Sequence, residues 1–98
     1  MLMFLKGPLL RAVAEGRKTQ TLRRQRLRLP PGHVISFNGR LRVVVRSVDR
    51  IAQAHLDEDD ARREGFASLD ELRQTLLTLG LDREPELTRI RFESSATC

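Results

Sequence analysis

The dipeptide Asn38-Gly39 separates two β-forming runs, His33 to Phe37 and Arg40 to Val48. A two-residue type I′ turn needs a positive φ at both central residues, which asparagine and glycine tolerate better than other residues. The spacing therefore predicts an antiparallel hairpin. In its second strand Leu41, Val43 and Val45 alternate with Arg42, Val44 and Arg46, so one face is apolar and the other partly basic. Ile51, Ala52 and the residues to Leu56 can continue it. A hairpin with one apolar face needs further elements to cover that face.

Helical segments flank the hairpin. Pro8 suits a first helical turn, Leu9, Leu10, Val13 and Ala14 recur at helical spacing, and Gly16 supplies a stop, which predicts a short helix over 8–15. Lys18-Thr19-Gln20-Thr21-Leu22-Arg23 has β-branched residues two apart and reads as a strand leaving that helix. Pro30-Pro31-Gly32 makes a turn that a central strand would not accept. Asp57 begins a second helix, with Asp57-Glu58-Asp59-Asp60 suited to the positive end of its dipole and Gly65 as its end. Ser68-Leu69-Asp70-Glu71 is a capping-box pattern, followed by Leu72, Leu76 and Leu79 up to Gly80. Leu87 to Glu93 alternates as a last strand.

The order is helix, strand, hairpin, two helices, strand, an α+β plan. About five strands must hide their edges in a small chain without disulfides, so the expected architecture is a mixed, partly closed β-barrel with helices at its side and mouth. Ninety-eight residues suffice for one domain, expected to span 1–98. The one cysteine, Cys98, excludes an internal disulfide and a cysteine-based zinc cluster. The apolar start Met1 to Leu5 is broken by Lys6 and Gly7-Pro8, too soon for a signal-peptide core or a roughly 20-residue membrane span. A cytoplasmic location without a membrane partner is the expectation.

Charge is unevenly placed. Residues 1–50 carry 12 Lys and Arg against 2 Asp and Glu, while residues 51–98 carry 6 against 11, so the halves stand at +10 and −5. The densest run, Arg23-Arg24-Gln25-Arg26-Leu27-Arg28 beside Arg17 and Lys18, would attract phosphates. It reads either as a nucleic-acid surface, with Arg24, Arg26 and Arg28 holding phosphates, or as solubilising arginines paired by the acidic second half.

Familiar catalytic signatures are mostly missing. There is no phosphate-cradling glycine loop, nucleophile elbow or paired-histidine metal motif, and His33 and His55 lie 22 residues apart without matching partners. No metal or cofactor is expected. Among 18 basic residues only Lys6 and Lys18 are lysines. An amine can lose its proton where a guanidinium cannot. Lys18 followed by Thr19 and Thr21 is therefore either a solvated strand start or a base beside a hydroxyl nucleophile. In a regular strand residues 18 and 21 would face opposite ways, so the chemical reading requires Lys18 to sit in the turn before alternation begins.

Gly16-Arg17-Lys18-Thr19-Gln20-Thr21-Leu22-Arg23 resembles the G-x-K-x-x-T-x-R signature of the ASCH domain family, a branch of the PUA-like barrels. The helix ending in Ala14-Glu15-Gly16, the Pro31-Gly32-His33-Val34-Ile35 stretch, the segment Glu64-Gly65-Phe66-Ala67-Ser68-Leu69-Asp70-Glu71-Leu72 and the closing Ile90-Arg91-Phe92 stand in the same order as in that family. The resemblance implies a link to RNA. It also implies kinship with small bacterial amide hydrolases that deacetylate N4-acetylcytidine and related acylated nucleosides.

On that resemblance Thr21 attacks the amide carbonyl, Lys18 takes its proton, and Glu64 shuttles protons or orients the lysine; Glu58 and Glu71 remain displaced candidates for the acid. Arg17 and Arg23 would hold substrate or developing negative charge. Two functions follow: a module binding RNA or a nucleoside in a basic cleft, and an amidohydrolase using the same cleft. Phosphodiester cleavage of RNA is a more distant third, lacking a histidine pair. With Phe4, Phe37, Phe66 and Phe92 as the only aromatics, there is little material for base stacking.

Overall fold

The structure, a computed structural model, describes residues 1–94. Cys98 lies outside the described residues. In chain order the elements are β1 (Leu2–Met3), α1 (Gly7–Ala14), β2 (Gln20–Arg23), β3 (Val34–Phe37), β4 (Leu41–Ala52), a 3-10 turn (Gln53–His55), α2 (Glu58–Arg63), α3 (Leu69–Thr78) and β5 (Glu86–Ser94). The strands form one sheet in the order β1-β3-β4-β5-β2. Among the described residues only the β1–β3 pair is parallel.

The hairpin forms where Asn38-Gly39 places it. Asn38 and Gly39 have φ of 56° and 69°, and the Arg40 N–H donates to the Phe37 carbonyl at 2.9 Å. Pairing resumes one residue later than the spacing predicts, with Phe37 opposite Leu41, so Arg40 is left as an extra residue beside the turn. Asn38 does more than turn the chain. Its side chain accepts from the Leu5 N–H at 2.8 Å and donates to the Leu5 carbonyl at 2.9 Å, fastening the N-terminal segment to the hairpin.

β4 runs to Ala52, with a register shift between Val45 and Ser47 where it pairs with β5. Such an irregularity bends a strand and changes which residues face inward. Val43 and Val45 thereby join a core of Val13, Ile35, Phe37, Ile90 and Phe92, whereas Ile51 joins a second one with Leu22, Leu56, Leu72, Leu76 and Leu87. Phe37 and Phe92 meet in the first core with ring centroids 5.4 Å apart.

Asp57 and Asp60 close a reciprocal capping box at the start of α2, with bonds of 3.0 and 3.1 Å. At the start of α3 the Ser68 hydroxyl accepts from the Glu71 N–H at 3.2 Å, and the Glu58 carboxylate of α2 takes the Leu69 N–H at 2.9 Å. Glu58 is thus a helix-to-helix brace.

The sheet is open where a partly closed barrel was expected. β1 and β2 are its edges, and β1 is only two residues long, too short to carry a ladder across to β2. Just past the end of β1, the Phe4 carbonyl accepts instead from Arg23 Nη2 of β2 at 3.3 Å.

Candidate functional site

The α1-to-β2 junction sets the site. Gly16 takes φ +78°, and the N–H groups of Arg17 and Lys18 both donate to the Ala12 carbonyl, at 2.9 and 3.1 Å. The chain then leaves the helix without yet entering a strand. Thr19 is held on both sides, its N–H donating to the Arg63 carbonyl at 2.7 Å and its carbonyl accepting from the Phe92 N–H at 2.9 Å. β2 begins only at Gln20, so Lys18 escapes strand alternation and lines the same hollow as Thr21.

Lys18 is 2% exposed, Thr21 3% and Glu64 5%. Lys18 Nζ donates to Glu64 Oε1 at 3.1 Å and to the Glu64 carbonyl at 3.3 Å. Glu64 reaches this spot as the residue closing α2, with its N–H donating to the Asp60 carbonyl at 2.9 Å. Gly65 follows at φ +95°, where a Cβ would lie 3.4 Å from the Cβ atoms of both Ala12 and Lys18. Glycine here lets the end of α2 close against the lysine. On β2, Arg23 Nε donates to Thr21 Oγ1 at 3.3 Å, as expected for residues two apart on one strand face.

These four side chains border a cavity of about 670 Å³, whose other walls include Phe66, Leu72 and Leu76, with Phe4 and Lys6 from the N-terminal segment. The volume suits a small organic ligand. Burial raises the pKa of Glu64, against the opposing pull of Lys18, Gln20 and Arg23. Burial also lowers that of Arg23, partly offset by the Glu64 charge. Glu64 Oε2 is buried with no hydrogen-bond partner among the described residues. A buried ion pair is weak evidence for stability, because desolvation offsets the attraction. Beside a cavity, such a pair with an orphaned oxygen makes this the candidate site.

No family model matches the sequence, and no curated protein does. Solved structures do match. An ASCH domain from Lactobacillus crispatus JV V101 superposes with TM-score 0.72 at 19% identity, covering 89% of this chain and 70% of its own. A mutant of ZmASCH from Zymomonas mobilis gives 0.72 at 15%, covering 95% and 68%. Hypothetical protein PH0355 gives 0.76 at 18%, covering 95% and 96%. The chain has the ASCH-domain fold.

Within this ASCH fold the other candidates scatter. Arg17 is exposed and pairs with Glu15 at 2.5 Å, and it is not among the residues lining the cavity. Arg24 is on the cavity rim, 3.2 Å from Glu84. Arg26 and Arg28 turn to a separate hollow of about 200 Å³ that they share with Asp49, Arg50 and Thr88. Glu84 of the acidic second half thus pairs with Arg24, while Arg24, Arg26 and Arg28 all stay exposed. Glu71 is exposed on the cavity's outer part.

Behind the site lies a buried network the sequence reading missed. Gln20 Nε2 donates to Asp60 Oδ1 at 3.2 Å, Arg89 Nη1 donates to the same oxygen at 3.0 Å, and Arg91 Nε donates to Gln20 Oε1 at 3.0 Å. Burial alone would raise the Asp60 pKa, but the Asp57 N–H, Arg89 and Gln20 outweigh it and hold it below the usual value. This network seats α2 on β2 and β5, and so seats Glu64. Among the described residues no cluster of His, Cys, Asp and Glu could hold a metal ion, and no helix is long and apolar enough to cross a membrane.

Proposed function

We propose that the chain binds a nucleoside or nucleotide unit, free or within RNA, in the cavity, and that Lys18, Thr21 and Glu64 hydrolyse an amide on it. One observation carries this reading: a buried Lys18–Glu64 pair and the Thr21 hydroxyl border a single hollow of ligand size.

The chemistry needs a neutral amine next to the hydroxyl. The Glu64 carboxylate, 3.1 Å from Lys18 Nζ, is placed to accept a proton from the ammonium, and that transfer leaves an amine. That amine takes the Thr21 proton as Oγ1 attacks the amide carbonyl. The same proton then goes to the leaving nitrogen as the C–N bond breaks, leaving an ester on Thr21. Water, deprotonated by the same amine, attacks the ester, and the ammonium so formed returns that proton to Thr21 Oγ1 as the C–O bond breaks, so the net products are a carboxylic acid and an amine. Arg23, bonded to Thr21 Oγ1, is placed to meet the negative charge that develops on the carbonyl oxygen.

A second reading, RNA binding without chemistry, is favoured by Arg26, Arg28 and Arg50 around the smaller hollow. Incubation with N4-acetylcytidine and a panel of acylated nucleosides separates the two, with wild type beside Lys18→Ala and Thr21→Ala. Product release lost in both variants supports the hydrolase. Nucleoside or RNA binding without release leaves the binding module, and no binding of either ligand overturns the whole proposal.

A further inference from the structure

We infer that Phe4 is the surface on which a nucleobase stacks at the mouth of the cavity, an inference that rests on the nucleoside reading above. Phe4 is 69% exposed, more than any other exposed large apolar residue among the described residues. It nevertheless borders the cavity alongside Thr21 and Arg23.

Its backbone is held on every side. Met3 pairs with Phe37 in β1, the Phe4 carbonyl accepts from Arg23 at 3.3 Å, and both backbone groups of Leu5 are bonded to Asn38 at 2.8 and 2.9 Å. A bare aromatic ring on a tethered backbone loses little conformational freedom when a ligand covers it. The tether itself is informative, because the guanidinium that bonds the Phe4 carbonyl also bonds Thr21 Oγ1. One side chain thereby ties the Phe4 backbone to the hydroxyl.

The ligand class follows from what the rest of the cavity offers. Leu72 and Leu76 are buried and form an aliphatic wall, while charge and hydroxyl groups lie at Lys18, Thr21, Arg23 and Glu64. An exposed π face at the rim adds a site for a flat, polarisable ring, and every nucleobase has one. Stacking on phenylalanine discriminates poorly among bases, so the face confers affinity for bases as a class.

The chain contains no tryptophan and no tyrosine, so Phe4→Trp creates a sole fluorophore at the proposed contact. Titrating this variant with cytidine or uridine is expected to quench its emission to a saturating plateau, while ribose leaves it unmoved. By calorimetry Phe4→Trp keeps wild-type affinity, whereas Phe4→Ala loses it by about tenfold or more. Phe4→Leu, which keeps apolar bulk but no π face, loses affinity as well. Wild-type affinity in Phe4→Ala, or unaltered tryptophan emission at saturation, overturns the inference while leaving the nucleoside reading intact. Absence of nucleoside binding by the wild-type protein overturns both.

Discussion

Lys18 and Glu64 stand 46 positions apart and meet through two hydrogen bonds from one ammonium group, to the carboxylate at 3.1 Å and to the carbonyl at 3.3 Å. The second bond fixes the lysine to the backbone that ends α2. The lysine is thus positioned by the fold as well as by its ion-pair partner.

Replacing Lys18 with arginine keeps the charge and removes the amine that can act as a base. Nucleoside affinity is expected to stay within a few-fold of wild type, while amide hydrolysis falls by about a hundredfold or more. Single-turnover rates set beside calorimetric affinities check this, and parallel loss of both would contradict a role for the amine in proton transfer.

Gly65→Ala puts a methyl group 3.4 Å from the Lys18 and Ala12 Cβ atoms on backbone at φ +95°, and is expected to cost about 1–3 kcal/mol. Gly16→Ala, at φ +78° with nothing within 4 Å, carries backbone strain alone. Denaturant melts are expected to show both variants destabilised. Ligand affinity is expected to fall only in Gly65→Ala.

Asp60 gives a pH signature. Its carboxyl is held below its unfolded value of about 3.9, so its stabilisation is complete above that pH and is lost as pH falls through the depressed folded value. Asp60→Asn is expected to lower stability at neutral pH by about 1–3 kcal/mol, with the gap to wild type narrowing below about pH 4. Both proteins keep Glu64, whose raised value has the opposite sign, so its effect largely cancels in the difference. Thermal melts from pH 2 to about 7 test this, and a gap that stays constant across that acid range would contradict it.

Local signals made most of the elements legible. Asn38-Gly39, Asp57 and Ser68 each act within a few residues: the first turns the chain with one residue more than a two-residue loop needs, Asp57 closes its box with Asp60, and Ser68 caps α3 through its own bond to the Glu71 N–H. β1 was not legible, because two residues carry no periodicity and its pairing partner lies in β3. The open sheet was missed for a related reason: edge protection argued for closure, while the contact near the two edges is a side-chain bond from Arg23 of β2 to the Phe4 carbonyl, just past β1. Lys18 and Thr21 could be read as a conditional pair, and the start of β2 at Gln20 meets the condition. Gln20 and Phe4 carried no such signal. Their surroundings depend on Asp60, Arg91 and Asn38, residues distant in sequence.

If RNA is the ligand, its phosphates are expected to favour Arg26 and Arg28 over Arg24, which pairs with Glu84. Joint Arg26→Ser and Arg28→Ser substitution is expected to flatten the log–log salt dependence of single-strand binding by roughly 1.4, at about 0.7 per phosphate contact. Arg24→Ser is expected to change the slope by less. Equal slopes in all three proteins would remove the arginine run from the interface.

Mapping amide shifts by NMR during titration with cytidine tests the shared cavity most directly. Perturbations are expected to concentrate at Lys18, Thr21, Arg23, Glu64 and Phe66, with Val34 and Asp49 unmoved. Saturable shifts confined to surfaces away from Lys18 and Thr21, or no shifts at all, would contradict it.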